Sequence, residues 1–190
     1  MFSVIIPAYN CEKTIRQVLD SVRRQTRFDL VEEIIVLNDG STDQTGKIIT
    51  DYISSHPTMP ILYLHHKNHG VSYTRNRGIH AAKAEWIALL DGDDVWLEQK
   101  LERQAQVLAA HPDICFLGAK SPLKILLKRR HGLCKITAAE LCLRSCTPTP
   151  SVVFKKSVGE ALGLFDESRQ FAEDIQFYQR FLLYHHFTSF

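Results

Sequence analysis

Trp86-Ile87-Ala88-Leu89-Leu90-Asp91-Gly92-Asp93-Asp94 sets five apolar residues directly against three carboxylates. An uninterrupted run of this kind reads as a strand covered on both faces. Ligands of open α/β sheets collect at the carboxyl ends of such strands, so Asp91, Asp93 and Asp94 are expected where a ligand sits. Three carboxylates this close repel one another, and a cation must compensate them. Oxygen ligands select a hard divalent ion, Mg²⁺ or Mn²⁺, which typically takes one or two carboxylates together with phosphate oxygens. The plainer alternative is an Asp-Gly turn on a solvated loop, but such a turn needs no buried strand in front of it.

Upstream the same grammar recurs. Residues 2–6 are apolar and β-branched, and Pro7 is expected to end that strand because it has no N–H for the ladder. Asn10 is a candidate N-cap for a helix whose buried face carries Ile15, Val18, Leu19 and Val22. Ile34-Ile35-Val36-Leu37 is a second strand and Asn38-Asp39-Gly40 its turn. Ser41-x-x-Gln44 forms a candidate capping box before a helix lined by Ile48, Ile49, Tyr52 and Ile53. A third strand, Ile61-Leu62-Tyr63-Leu64, leads through Asn68-His69-Gly70 into a helix running to about Ala84, with Arg75, Asn76 and Arg77 near its start. Guanidinium groups at a helix N-terminus favour phosphate, although two solvated arginines would give the same pattern. Strands alternating with helices imply βαβ units and a mainly parallel sheet. Tyr9, Asp39, Arg75 and residues 91–94 would then surround one crevice suited to a nucleotide.

Downstream, Leu97, Leu101, Ala105 and Leu108 mark an amphipathic helix, and Ile114-Cys115-Phe116-Leu117 a buried strand ended by Gly118. Lys120, Lys124 and Lys128 share one helical face within a basic stretch reaching Lys135. That stretch suits a solvated face over an acceptor-side loop, an anionic membrane surface or a phosphorylated acceptor. Thr137-x-x-Glu140 is a capping box for a helix to about Cys146, stopped by Thr147-Pro148-Thr149-Pro150. Ser151-Val152-Val153-Phe154 reads as a strand. Ala172-Glu173-Asp174 opens a helix containing Phe177, Phe181 and Leu182, where acids in the first turn also suit the helix dipole.

The chain has 190 residues, enough for one domain with a core of ordinary size. A net charge of +2 gives no reason to expect nucleic acid. The N-terminus lacks a basic leader with a long apolar region, and no apolar stretch approaches the ~18 residues of a membrane span. Five cysteines, odd in number and with no Cys-x-x-Cys pair, suit free thiols in a reducing cytoplasm.

Four segments together resemble the family 2 inverting glycosyltransferases of GT-A fold. They are Val4-Ile5-Ile6-Pro7-Ala8-Tyr9-Asn10, Asn38-Asp39-Gly40-Ser41-Thr42-Asp43, Asn68-x-Gly70-x-Ser72-x-x-Arg75-Asn76-x-Gly78 and Leu90-Asp91-Gly92-Asp93-Asp94. Each motif is weak alone, whereas their order across the first hundred or so residues is specific. The resemblance implies an α/β fold with a Rossmann-like, mainly parallel (mixed) sheet flanked by helices in a single domain. Residues 1–118 would bind a nucleotide-sugar donor, most readily a UDP-sugar. Residues 119–190 would form an acceptor-side half. It further implies that Pro7, Ala8, Tyr9 and Asp39 contact base and ribose, with Asp39 accepting from the uracil imide. Arg75, Asp91 and Gly92 would lie at the nucleotide, and Asp93 would hold Mn²⁺ or Mg²⁺ against the diphosphate. Asp174 would be the general base, with Glu173 its nearest substitute. Asn10, Arg77 and Asp94 are secondary candidates, as is Asn38, which stands where the family commonly has a second Asp. The acceptor would be a glycan or a lipid-linked molecule, reached in the cytoplasm or at the inner face of its membrane. The chain stops at Phe190 without the Gln-x-x-Arg-Trp motif of processive synthases, as expected for a small enzyme or a piece of a longer one. Two rivals remain: a nucleotide-sugar-binding module without transfer activity, and a sugar-1-phosphate nucleotidyltransferase, whose Gly-rich loop after the first strand is not seen in Ala8-Tyr9-Asn10-Cys11-Glu12.

Overall fold

A computed structural model describes residues 1–118, 134–135, 147–169, 171–184 and 187–189. Its strands are β1 (Phe2–Ala8), β2 (Val31–Asp39), β3 (Ile61–His66), β4 (Trp86–Leu89), β5 (Phe116–Gly118), β6 (Cys134–Lys135), β7 (Val153–Lys155) and β8 (Phe187–Ser189). They form one mixed sheet in the order β3-β2-β1-β4-β7-β5-β8-β6. The β3-β2-β1-β4 half is parallel throughout, and β7 turns the direction by pairing antiparallel to both β4 and β5. The helices are α1 (Ile15–Arg23), α2 (Thr45–Ser55), α3 (Val71–Ala81), α4 (Lys100–Ala110), α5 (Lys156–Ala161) and α6 (Glu173–Tyr184).

Strand periodicity sorts the core into two layers. Val4 and Ile6 of β1 and Ile34 and Val36 of β2 face one side, where they join Ile15, Val18, Leu19, Ile49, Tyr52 and Leu101 from α1, α2 and α4. Ile5, Ile35 and Leu37 face the other, against Ile79 of α3 and Phe177 and Phe181 of α6. Each fully buried aliphatic or aromatic side chain contributes roughly 1.5–3 kcal/mol, so the central strands are held from both faces. Helix α3 lies flush on its side because residue 78 is glycine: a Cβ there would come within 2.6 Å of Ile5 Cγ2 and 2.8 Å of Leu37 Cδ1.

The mixed, helix-flanked α/β sheet agrees with the sequence reading, while several local boundaries do not. Strand β1 runs through Pro7 to Ala8, pairing Pro7 with Leu37 of β2. Proline is tolerated because its missing N–H would face β4, whose last strand residue, Leu89, pairs with Ile5. Asn10 does not cap α1: it has φ 48° in the β1–α1 loop, and Thr14 precedes the helix. The Ser41-x-x-Gln44 capping box does not form either. Ser41 Oγ accepts from Asn10 N (3.0 Å), and Asp43 Oδ1 takes Thr45 N at the start of α2 (2.9 Å).

Arg75 sits a full turn inside α3 rather than at its free N-terminus, and that helix ends at Ala81. Leu97 is 85% exposed and precedes α4. Trp96 turns inward and donates from Nε1 to Pro150 O (2.6 Å), so its neighbours Val95 and Leu97 point outward. Strand β5 begins at Phe116 rather than at 114, and residues 149–151 form a short 3₁₀ turn ahead of β7. The basic stretch up to Lys135 and the helix expected over residues 137–146 lie outside the described residues, apart from the β6 pair. Among the described residues no helix is long and apolar enough to cross a membrane, and Cys11 and Cys115 are buried free thiols.

Candidate functional site

The carboxyl ends of β1, β2 and β4 open onto a cleft of about 680 Å³. Its wall includes Pro7, Ala8, Tyr9, Asn10 and Cys11 after β1, Asp39 and Asp43 around the end of β2, Gly70, Thr74 and Arg75 from α3, and Asp91, Gly92 and Asp93 after β4. The first two loops interlock. Asn10 Oδ1 accepts from Thr42 N (2.9 Å), Cys11 N donates to Thr45 Oγ1 (2.8 Å), and Gln44 N donates to Glu12 Oε2 (2.9 Å). The backbone beside Ala8 and Tyr9 is thereby held in place, while the Tyr9 ring stays half exposed at the cleft wall.

Gly92 is required by close approach. A Cβ there would stand 3.0 Å from Pro7 O and 3.1 Å from Cys11 Sγ, and Gly92 O is anchored by Thr14 Oγ1 at 2.7 Å. The Asp91–Asp94 loop is thus pressed against the β1 loop, with the exposed Asp93 on the cleft wall. Burial, and then the charges of Asp93 and Asp91, push the Asp94 carboxyl above its ordinary value. That crowding of negative charge is what a divalent cation relieves. No preformed cluster of three or more metal-type side chains occurs among the described residues. The carboxylates of Asp91 and Asp93 on the cleft wall fit the hard-oxygen chemistry of a divalent-cation site, in which the protein supplies one or two carboxylates and the ligand supplies further oxygens.

Asp39 is buried with both oxygens engaged. Oδ1 accepts from His69 N (2.8 Å) and Oδ2 from Gly70 N (3.0 Å), and His66 Nδ1 lies 3.4 Å from Oδ1. It organises the β3–α3 turn as well as lining the cleft, and each oxygen keeps a lone pair for a ligand donor. Asn38 does not line the cleft: Nδ2 donates to Tyr63 OH (3.0 Å) and Oδ1 accepts from Ser41 N (2.9 Å). Arg77 is half-buried and also outside the cleft wall.

Arg75 is the hinge between the two parts of the site. Its NH2 donates to Asp91 Oδ1 (2.8 Å), its NH1 to Glu173 Oε1 (2.9 Å), and the guanidinium lies 5.2 Å from the centroid of the Phe165 ring. Burial alone would lower its pKa, but Asp91 and Glu173 outweigh burial and raise it, so it stays charged. Both terminal nitrogens already bind carboxylates, which leaves it poorly placed for the free phosphate contact expected from sequence. Asp174 follows Glu173 in the first turn of α6. It does not line the cleft; its Oδ2 accepts from Thr149 Oγ1 (3.3 Å).

Sequence reasoning missed Thr149 and Asn76 as site architecture. Asn76 lies within a quoted motif and binds Phe165 through both N–H and C=O, fixing the loop that leads to α6. In sequence Thr149 reads only as part of a helix stop. No periodicity marks either, because each partner lies far away in the chain.

The chain matches the family model described as Glycosyl transferase family 2 over residues 3–135. It is 42% identical over 94 residues to the uncharacterized glycosyltransferase EpsJ of Bacillus subtilis (strain 168), covering 50% of this chain and 26% of the relative. It is 30% identical over 198 residues to the uncharacterized glycosyltransferase RT0329 of Rickettsia typhi, covering 96% of this chain and 58% of the relative. It thus spans between about a quarter and three-fifths of these relatives. Among solved structures, S. aureus TarS 1-349 in complex with UDP-GlcNAc superposes with a TM-score of 0.81 at 24% identity, covering 100% of this chain and 55% of TarS 1-349. The mannosyltransferase PcManGT from Pyrobaculum calidifontis, in complex with GDP-Man and Mn²⁺, gives 0.76 at 20% identity, covering 97% of this chain and 53% of that protein. At these identities the structural matches speak to the fold.

Proposed function

Since the chain belongs to glycosyl transferase family 2, we propose that it transfers a sugar from a nucleoside diphosphate sugar, most readily a UDP-sugar, to an acceptor hydroxyl with inversion at the anomeric carbon. One observation carries this reading. The Asp91–Asp93 loop and Asp39 share one cleft, and Arg75 ties Asp91 to the helix that bears Asp174. Residues 1–118 bind the donor in this reading, and residues 119–190 supply the acceptor side with its base. The TarS complex with UDP-GlcNAc and the PcManGT complex with GDP-Man and Mn²⁺ support a nucleotide-sugar donor and a divalent metal.

Tyr9 and Asp39 bind the base and ribose, with Asp39 accepting from the uracil imide. Asp93, with Asp91 beside it, holds the metal, which when bound neutralises negative charge on the diphosphate. Asp174 removes the acceptor hydroxyl proton as that oxygen attacks the anomeric carbon. The bond from that carbon to the diphosphate breaks on the opposite face, and the diphosphate leaves with the electron pair. The acceptor oxygen must come within hydrogen-bond reach of Asp174, and α6 presents that carboxylate from its first turn.

Two experiments test the reading. UDP-GlcNAc, UDP-glucose, UDP-galactose and GDP-mannose are screened with Mn²⁺ for thermal stabilisation, since a ligand that binds only the folded state raises its stability. Turnover is then followed as nucleotide release. Asp174→Asn should lower turnover roughly 10²–10⁴-fold with nucleotide affinity and melting temperature nearly unchanged. Parental turnover in that variant would remove Asp174 as the base. Binding with no turnover by the parent would make the chain a binding module.

A further inference from the structure

We propose that Thr149 is a positioning residue for Asp174, the last link of a hydrogen-bond chain Tyr178–Thr149–Asp174 that orients the carboxylate; this rests on the reading of Asp174 as the general base. Tyr178 OH donates to Thr149 Oγ1 at 3.2 Å, and Thr149 Oγ1 donates to Asp174 Oδ2 at 3.3 Å. The direction of the chain is forced. An ionised carboxylate can only accept, so the threonine hydroxyl must give its proton to Asp174 and take one from the tyrosine. Tyr178 is completely buried, and burial holds its phenol far above its ordinary pKa, so it remains a donor at any working pH.

The turn that carries Thr149 is itself clamped. Trp96 Nε1 donates to Pro150 O (2.6 Å) and Gln104 Nε2 to Ser151 O (2.8 Å), while Val152 N returns to Thr149 O (3.0 Å). Lys100 Nζ lies 3.9 Å from the centroid of the Trp96 ring and donates to Gln104 Oε1 (2.8 Å), bracing both donors. Trp96 lies two residues beyond Asp94, so the clamp that fixes Thr149 grows from the same loop that carries Asp91 and Asp93. The first turn of α6 is therefore gripped twice, Glu173 by Arg75 and Asp174 by Thr149. Asp174 lies beside Glu173 and within electrostatic reach of Tyr178 on its own helix. Its Oδ1 accepts from Ile175 N (2.7 Å), so Thr149 is the side-chain donor to the carboxylate, on the other oxygen.

The test uses the full chain with Thr149→Val, which keeps shape and removes the donor, Thr149→Ser, which restores it, and Tyr178→Phe. In protein labelled with ¹³C-aspartate, the Asp174 carboxyl resonance is identified by its loss in Asp174→Asn. Losing a donor to the charged form disfavours that form, so this resonance should titrate at higher pH in Thr149→Val than in the parent. Thr149→Ser should return it toward the parent. In nucleotide release from the donor that the screen selects, the acidic limb of the rate profile should move the same way and kcat should fall about tenfold, with KM for the donor nearly constant. A merely structural threonine would change melting temperature without moving either titration. Coincident titrations in parent and Thr149→Val would overturn the proposal. If that variant does not fold, Tyr178→Phe decides, with a smaller shift in the same direction expected and no shift refuting it. Parental turnover in Asp174→Asn would sink the base reading, and this proposal with it. Loss of turnover there beside an unmoved Thr149→Val titration would sink this proposal alone.

Discussion

Replacing Arg75 with Met should damage folding more than nucleotide contact. The side chain is 5% exposed and bridges Asp91 and Glu173, whose side chains are 24% and 14% exposed. Methionine keeps an unbranched apolar stem but removes the guanidinium over Phe165 and leaves two carboxylates without their common cation. Breaking a buried pair from one side costs about 3–5 kcal/mol, and the partial solvent access of both partners places this case near about 3 kcal/mol. For a domain of this size each kcal/mol corresponds to about 2–4 °C, so the melting temperature should fall by roughly 6–12 °C. Thermal unfolding monitored by circular dichroism measures it. Adding Glu173→Gln to Arg75→Met removes one stranded charge and should recover about 1 kcal/mol, a coupling within the range seen for contacting residues. A melting temperature within about 2 °C of the parent, combined with a large loss of UDP affinity, would refute this reasoning and return Arg75 to the role of a free phosphate ligand.

UDP affinity measured by calorimetry should depend on divalent metal through Asp93; equal affinity with EDTA and with Mn²⁺ would remove the metal from the donor site. Asp39→Ala should narrow the preference for UDP over CDP by about 1–3 kcal/mol, because cytosine presents an acceptor where uracil presents an N–H. It should also lower the melting temperature, because His69 N and Gly70 N lose their acceptor; an unchanged UDP to CDP ratio would mean the base is read elsewhere. Asp94 has a raised folded-state pKa, so the native state favours its protonated form, and stability is lost as the pH rises from the unfolded carboxylate range through that raised value. Asp94→Asn should therefore raise the metal-free melting temperature at pH 7, and the gain should vanish as the pH falls below the carboxylate range; a gain independent of pH would point to packing instead.

Much of this protein is legible one segment at a time. The apolar run before Asp91, the helical spacing of Ile15, Val18, Leu19 and Val22, and the alternation of strands with helices are local patterns. Each is imposed by the period of a single element, and the parallel half of the sheet follows from them. The polar turns that form the cleft were legible for the same reason, because ligand-facing residues follow the ends of buried strands. What needed the tertiary structure was the partner of each polar atom. Nothing near Asn10 or Ser41 in the chain shows that their capping groups bind each other's loops, nor that Trp96 turns inward to hold Pro150 and leaves Leu97 in solvent. Arg75 looks in sequence like a helix-start anion site and is in fact an internal cation between Asp91 and Glu173. Thr149 looks like part of a helix stop and holds Asp174. A side-chain hydrogen bond or ion pair depends on which residues chain reversal brings within about 3 Å, and only the closing of β4, β7 and α6 around one another supplies that information.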